Sequence, residues 1–152
     1  KLYDFCCIHL RMEDDAIEFT EKKLNKFDKN LVNDIYKQTY ITEIETIKKL
    51  DVKIYVCTSL GLSDNMNNLF YKIIKKQYDL IDKNDFMKDV KLYDDNFNHR
   101  ELYGIIDYLV ALKSLYFIGC DWSSFSIAIK NNHQFYKKDY NLLNIWKSAS
   151  TY

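Results

Sequence analysis

Three short apolar runs, widely separated along the chain, constrain the possible folds most strongly. They are residues 2–10 (LYDFCCIHL), 53–57 (KIYVC) and 115–118 (LYFI), the last of which ends at Gly119. Each run is short and becomes continuously apolar at its centre, which is typical of parallel strands that are buried on both faces. A further short strand is predicted at residues 79–81.

Helical periodicity fills the segments between these strands. Capping signals mark three helix starts: Thr42 with Glu45, Asn98 with Glu101, and Ser123. Strands that alternate with helices predict an α/β domain with a parallel sheet flanked by helices. The apolar residues that define the predicted helices are Ile17, Leu24 and Phe27; Leu31, Ile35 and Tyr36; Ile44, Ile47 and Leu50; Met66, Leu69, Phe70, Ile73 and Ile74 within residues 65–78; Leu102, Ile105, Ile106, Leu109 and Leu112; and Ile127 and Ile129.

Composition limits the possible partners. The 152 residues are 47% hydrophobic, which suits one folded domain over residues 1–152 with a core of its own. Lys and Arg number 22 and so do Asp and Glu, so no strong basic field favours binding to nucleic acid. No apolar run approaches the length of a membrane span, so we expect no membrane contact. Because an apolar strand begins almost at Lys1, we expect the chain to be a segment of a longer protein, and its localisation cannot be read from it.

The four cysteines show no zinc-binding spacing. Disulfides would be possible in a secreted protein, but three of the four lie in or at the end of predicted strands, where cysteine usually acts as a small buried hydrophobe. We therefore predict free, mostly buried thiols. The cysteines are Cys6, Cys7, Cys57 and Cys120.

Candidate binding residues follow the predicted strands. Ligands of open α/β sheets bind at the carboxyl ends of the strands. Arg11 comes directly after the first strand, where its planar guanidinium could meet a phosphate or simply pair with Glu13 or Asp14. After the third strand, Ser123 and Ser124 open a helix whose N-terminus suits an anion, or serve only as an ordinary cap.

Asp107 lies within the apolar helix that precedes the third strand. A carboxylate at or near a packed face needs partners. It is either a residue at the solvent edge or an acceptor for the N1–H and N2–H₂ donors of guanine, a donor pair that the other common bases lack.

These segments resemble the protein O-fucosyltransferase superfamily, especially its plant-like branch. Residues 7–15 (CIHLRMEDD) are similar to the His-Leu-Arg-x-Glu-x-Asp motif of that family, and residues 54–58 (IYVCT) to its second motif. Residues 106–110 (IDYLV), 117–119 (FIG) and 123–126 (SSFS) look like its third. Order and spacing agree over roughly residues 5–135. The first and third motifs are fairly specific, and the second is not.

The resemblance implies the C-terminal, Rossmann-like, donor-binding half of a GT-B enzyme. Such an enzyme uses GDP-fucose and fucosylates a Ser or Thr hydroxyl of a protein with inversion. Arg11 would bind the β-phosphate and stabilise the departing GDP, and Glu13 would orient Arg11 or act as the catalytic base. The acceptor and the N-terminal half would be the other partners, the secretory pathway would be the location, and no cofactor or metal would be needed. The binding residues implied for GDP-fucose are His9 (mainly through its backbone), Arg11, Thr58, Asp107 (reading guanine), Ser123, Ser124 and Phe125.

Two departures from the family pattern affect this interpretation. Ser59 stands where the family often has Asp, and residues 131–134 (NNHQ) stand where it commonly carries arginine, although Lys130 could replace that cation. Two alternatives therefore stay open: a fucosyltransferase domain directed at glycans (α1,2- or α1,6-type), and a non-catalytic GDP-sugar-binding domain. We expect the segment alone to bind GDP weakly and to transfer little fucose. The adjacent acidic pairs 14–15 and 94–95 are predicted to be solvated and not to bind a metal ion.

Overall fold

The computed structural model describes residues 4–25, 27–87, 99–120, 122–134 and 136–140. In this part of the chain four parallel strands form one sheet, and helices flank it, as the alternation of patterns predicts. The strands are β1 (Phe5–His9), β2 (Lys53–Cys57), β3 (Tyr116–Cys120) and β4 (Tyr136–Tyr140). The helices are α1 (Asp14–Leu24), α2 (Lys29–Lys48), α3 (Asn68–Gln77), α4 (Asn84–Met87), α5 (His99–Leu112) and α6 (Ser124–Asn132).

The strand order is β2-β1-β3-β4, with every neighbouring pair parallel. The carboxyl ends of β1, β2 and β3 therefore lie at the same edge of the sheet. The predicted strand at residues 79–81 is reduced to one isolated bridge, in which Ile81 pairs with Tyr55 of β2. β4, by contrast, was not predicted from the sequence.

Side chains of β1 alternate between two apolar clusters, one on each face of the sheet. Cys6 and Ile8 join the larger cluster with α1, α2 and α3, whereas Cys7 joins the smaller cluster with α5 and α6. All four cysteines are buried and none forms a disulfide, which confirms the prediction of buried thiols. The Cys7 and Cys57 sulfur atoms lie 3.3 Å apart.

Several predicted element boundaries are wrong. The capping box at Thr42 does not begin a helix, because α2 runs continuously through it and the Thr42 hydroxyl donates to the Gln38 carbonyl one turn earlier. Asp28 caps this helix instead, accepting from the Leu31 N–H at 2.8 Å. The strand predicted at 2–10 ends at His9, and α1 ends before Phe27.

The helix predicted at residues 65–78 begins later, at Asn68, and most of its predicted apolar stripe faces outward. Leu69 and Ile73 are 69% and 53% exposed, whereas Ile74 packs into the larger cluster. The predicted cap at Asn98 and the acidic pair at residues 94–95 lie outside the described residues. Among the described helices, none has both the length and the apolar character that a membrane crossing requires.

Candidate functional site

A pocket of about 250 Å³ opens at the carboxyl ends of β1, β2 and β3; we call it the strand-end pocket. All seven residues that the sequence singled out for donor binding line it, although they come from four separate segments of the chain. The lining residues are His9, Arg11, Cys57, Thr58, Ser59, Leu62, Lys83, Tyr103, Gly104, Asp107, Ser123, Ser124 and Phe125. The residues that the sequence singled out therefore lie around one pocket, and their roles as binding residues stay predictions.

Arg11 is held by two carboxylates at the rim of this pocket. Asp15 accepts from both terminal nitrogens of its guanidinium, at 3.1 and 2.8 Å, and Glu13 accepts from one of them at 2.8 Å. The guanidinium also lies 5.7 Å from the ring centroid of Trp122, which is within cation–π range. Burial acts to lower the pKa of Arg11, but the hydrogen bonds to Asp15 and the charge of Glu13 hold that pKa above its ordinary value.

The sequence predicted that Asp15 is merely solvated, but in the structure it also has an ion-pair partner. Its side chain is 63% exposed, but it forms a two-pronged ion pair with Arg11, which lies four positions earlier in the chain. An exposed carboxylate of this kind can be replaced by another anion at small cost, because water screens the pair that is lost. Arg11 is thus both oriented for an anion and, in this conformation, neutralised.

Glu13 joins the loop after β1 to the loop after β2. One of its carboxylate oxygens accepts from the Ser59 N–H at 3.0 Å and from the Ser59 hydroxyl at 2.7 Å, while the other accepts from Arg11. Burial acts to raise the pKa of Glu13, yet the charge of Arg11 and the hydrogen bond from Ser59 bring that pKa below its ordinary value. A buried carboxylate with three donors and a lowered pKa is suited to orienting Arg11 and poorly suited to taking a proton.

His9 faces the pocket with its imidazole ring. Nδ1 lies 2.7 Å from the hydroxyl of Ser126, and the ring centroid lies 4.8 Å from that of Phe125. The Ser126 hydroxyl oxygen also accepts from the Cys120 N–H at 2.9 Å. A hydroxyl that accepts from that N–H can donate to Nδ1, an arrangement in which the imidazole carries its proton on Nε2.

The backbone of His9 has its partners within the fold. Its carbonyl accepts from the buried hydroxyl of Tyr40 at 3.0 Å, and β1 pairs its backbone with β2. Burial lowers the pKa of the imidazole to about 4; Arg11 and Lys83 act in the same direction and Glu13 opposes them. His9 is therefore neutral near pH 7, and its backbone carbonyl already has a partner within the fold.

Asp107 has two partners at the bottom of the pocket. The Tyr55 hydroxyl donates to Oδ1 at 2.8 Å, and the Lys83 ammonium donates to Oδ2 at 2.8 Å. Burial raises the pKa of Asp107, and Lys83 and Tyr55 offset this only in part. The requirement for partners that the sequence indicated is therefore met, and Asp107 is a buried, paired carboxylate instead of a residue at the solvent edge.

Lys83 is the polar residue of the site that sequence reasoning missed. Its ammonium donates to the Thr58 carbonyl at 2.5 Å as well as to Asp107, and the residue is only 2% exposed. A signal for it existed, because Lys83 closely follows the run at 79–81 that was interpreted as a short strand. That run does reach the sheet, through the bridge at Ile81, so the residues after it arrive at the same edge as the other loops.

The N-terminus of α6 forms one wall of the strand-end pocket. Ser123 is the N-cap residue, as predicted, but its side chain makes no capping hydrogen bond to the helix. The first N–H groups of a helix point outward along its axis and carry partial positive charge, so this wall favours an anion. Ser124 and Phe125, the next two residues, also line the pocket.

The Thr58 hydroxyl, predicted to bind the donor, already has a hydrogen-bonding partner in its own loop. It accepts from the Leu60 N–H at 3.2 Å, which shapes the loop after β2. Lys130, proposed as a substitute cation, lies in the last turn of α6 and does not line the pocket, which that helix approaches with its other end. No cluster of three or more potential metal-binding side chains occurs within the described part of the chain.

Comparisons with known proteins return no match for this chain. No protein-family model, no curated protein and no solved structure matches it.

Proposed function

We propose that this chain is the donor-binding domain of a GDP-fucose-dependent glycosyltransferase, with a Rossmann-like sheet of the GT-B type. The convergence of His9, Arg11, Asp107 and the Ser123 helix start on one pocket carries the proposal. These residues were chosen from sequence motifs alone, and their meeting at the carboxyl edge of a parallel sheet is the arrangement that nucleotide sites in α/β proteins use. The acceptor, on this proposal, is a Ser or Thr hydroxyl of a protein.

The charges of the pocket fit a diphosphate leaving group. When the bond between the anomeric carbon and the β-phosphate oxygen breaks, its electron pair stays on GDP, and negative charge develops there. Arg11 and the N-terminus of α6 would stabilise that charge as it appears. To do so, Arg11 exchanges its exposed partner Asp15 for the phosphate, while Glu13 continues to hold the guanidinium in place.

A non-catalytic GDP-sugar-binding domain is the second candidate. Glu13 favours it, because this candidate base already accepts three hydrogen bonds and has a lowered pKa. A transfer assay with GDP-fucose separates the two candidates when the chain is tested together with the acceptor-binding half that a GT-B enzyme requires, on protein and glycan acceptors side by side. Transfer to a peptide hydroxyl supports the first candidate, and transfer to a glycan alone would move the assignment to a glycan-directed fucosyltransferase.

Calorimetric titration with GDP, ADP and UDP tests nucleotide binding directly. We expect the chain to prefer GDP and expect Arg11→Ala to abolish binding. Lys130→Ala is the matched control, because it removes one positive charge at the other end of α6 and should leave binding unchanged. Equal affinities for the three nucleotides, or full affinity in Arg11→Ala, would contradict the proposal.

A further inference from the structure

The Lys83 and Asp107 side chains form a fixed pair of polar groups at the bottom of the strand-end pocket. Their ion pair measures 2.8 Å, and the two side chains are 2% and 6% exposed. Lys83 is held from further directions by the Thr58 carbonyl at 2.5 Å and by the ring of Tyr103, whose centroid is 5.9 Å away. Both residues nevertheless line the pocket, so a ligand that fills it meets them.

The pair retains hydrogen-bonding capacity after its internal contacts are counted. An ammonium group has three N–H donors, and two of those of Lys83 are used, by Thr58 and Asp107. A carboxylate has about four acceptor sites, and two of those of Asp107 are used, by Tyr55 and Lys83. One donor of Lys83 and two acceptor sites of Asp107 therefore remain for a ligand.

We propose that Lys83 is a specificity-determining residue that reads the nucleobase together with Asp107. This inference rests on the proposed function and assigns the base-reading role to the pair instead of to the carboxylate alone. Guanine presents an acceptor, O6, beside two donors, N1–H and the N2 amino group. Lys83 donates to O6 while Asp107 accepts from N1–H and N2, so all three edge groups of guanine are matched.

The same pair rejects the other bases for a stated chemical reason. Adenine and cytosine place an amino donor where guanine has O6, opposite the Lys83 ammonium, so two donors would face each other. Uracil has a carbonyl there, but it places a second carbonyl where guanine has its amino group, opposite the Asp107 carboxylate. Leaving a desolvated polar group unpaired costs more than a hydrogen bond gains, so these mismatches provide selectivity.

Nucleotide analogues test the pairing in the unaltered chain. IDP lacks the N2 amino group, and the 6-thio analogue of GDP replaces O6 by sulfur, which is a weak acceptor. We expect 6-thio-GDP to bind roughly 10-fold or more weaker than GDP, since a hydrogen bond to a charged group contributes about 1.5–3 kcal/mol and 1.4 kcal/mol is tenfold. IDP should also bind more weakly than GDP.

Lys83→Met then assigns the O6 contact, because it removes the donor and keeps a side chain of similar length. We expect this variant to bind GDP and 6-thio-GDP equally. Tyr55→Phe is the matched control: it removes the other partner of Asp107 and should retain the preference for GDP over its thio analogue. Thermal unfolding of each variant establishes that it is folded, and the analogue series on the unaltered chain remains decisive if one is not.

The possible failures are distinguishable. If the chain prefers GDP to ADP but does not discriminate against 6-thio-GDP, the base-reading role of Lys83 is overturned and the proposed function stands. The same holds if a folded Lys83→Met variant keeps that discrimination. If the unaltered chain binds no nucleoside diphosphate at all, both proposals are overturned.

Discussion

Arg11 and Lys83 both line the strand-end pocket, yet the protein holds these two cations in opposite ways. Arg11 and its partner Asp15 are 18% and 63% exposed in their side chains, whereas Lys83 and Asp107 are 2% and 6% exposed. Both pairs have the same N–O distance of 2.8 Å. Distance alone therefore does not distinguish them, and burial does.

The difference indicates which cation can change its partner. An exposed ion pair is screened by water and contributes little to stability, so Asp15 can give way to a ligand anion at small cost. A buried pair depends on both of its members, because loss of one leaves the other charged and desolvated. Arg11 can thus exchange its exposed partner Asp15 for another anion, whereas Lys83 and Asp107 stay paired with each other.

Loss of Lys83 should have the largest effect on stability. We expect Lys83→Met to lower the free energy of unfolding by about 3–5 kcal/mol, since Asp107 would then be buried without its counter-ion. The double variant Lys83→Met/Asp107→Leu should recover most of that loss, because no charge is left behind. Urea denaturation measures both, and a loss below about 1 kcal/mol in the single variant would break the contrast between the two pairs.

His9 is close enough to both cations, Arg11 and Lys83, for their charges to act on it, and it should make stability depend on pH. The folded imidazole has a pKa of about 4 and the ordinary value is 6.5, so the unfolded chain takes up this proton first as the pH falls. The free energy of unfolding is therefore highest, as far as His9 is concerned, above pH 6.5. It falls by about 3 kcal/mol as the pH is lowered from 6.5 towards 4. Denaturation across this range should give a flatter profile for His9→Asn, and parallel profiles would contradict the lowered pKa.

Glu13→Gln should cost about 2 kcal/mol of unfolding free energy at neutral pH, since hydrogen bonds to a charged group are lost or weakened at Arg11 and Ser59. The pKa of Glu13 is below its ordinary value of 4.5, so its contribution is present above that pH and disappears as the pH falls through the folded pKa. The difference between variant and unaltered chain should therefore shrink in acid. A difference that is independent of pH would mean that Glu13 acts by packing and not by charge.

Asp15→Asn should have the smallest effect on stability, less than about 1 kcal/mol, because its carboxylate is exposed. Its effect on binding should be opposite in sign to that of Arg11→Ala: pyrophosphate affinity should rise several-fold once Arg11 has lost its competing anion. Glu18→Gln is the control, since it breaks an exposed ion pair with Lys29 that includes another residue of α1 and lies outside the pocket. Unchanged or weaker pyrophosphate binding in Asp15→Asn would show that Arg11 does not exchange partners.

Local patterns were sufficient where burial and local geometry point the same way. β2 has the predicted bounds, because a short apolar run that is buried on both faces favours a strand of a parallel sheet covered on both sides. Ser123 is a helix N-cap, as its residue type predicts. Thr42 shows the limit: its capping signal is outweighed by the apolar residues before and after it, which pack one continuous helix against the sheet.

The sequence by itself determined the α/β fold class and which polar residues meet at one edge of the sheet. Parallel strands bring their carboxyl ends to one edge, so polar residues that follow separate strands meet there wherever they lie in the chain. Only the tertiary structure decided how the charges pair. The contacts from Ser59 to Glu13 and from Lys83 to Asp107 span 46 and 24 positions, and residue type alone cannot choose among so many carboxylates. Burial, which depends on the whole packed structure, then makes one cation fixed and leaves the other exchangeable.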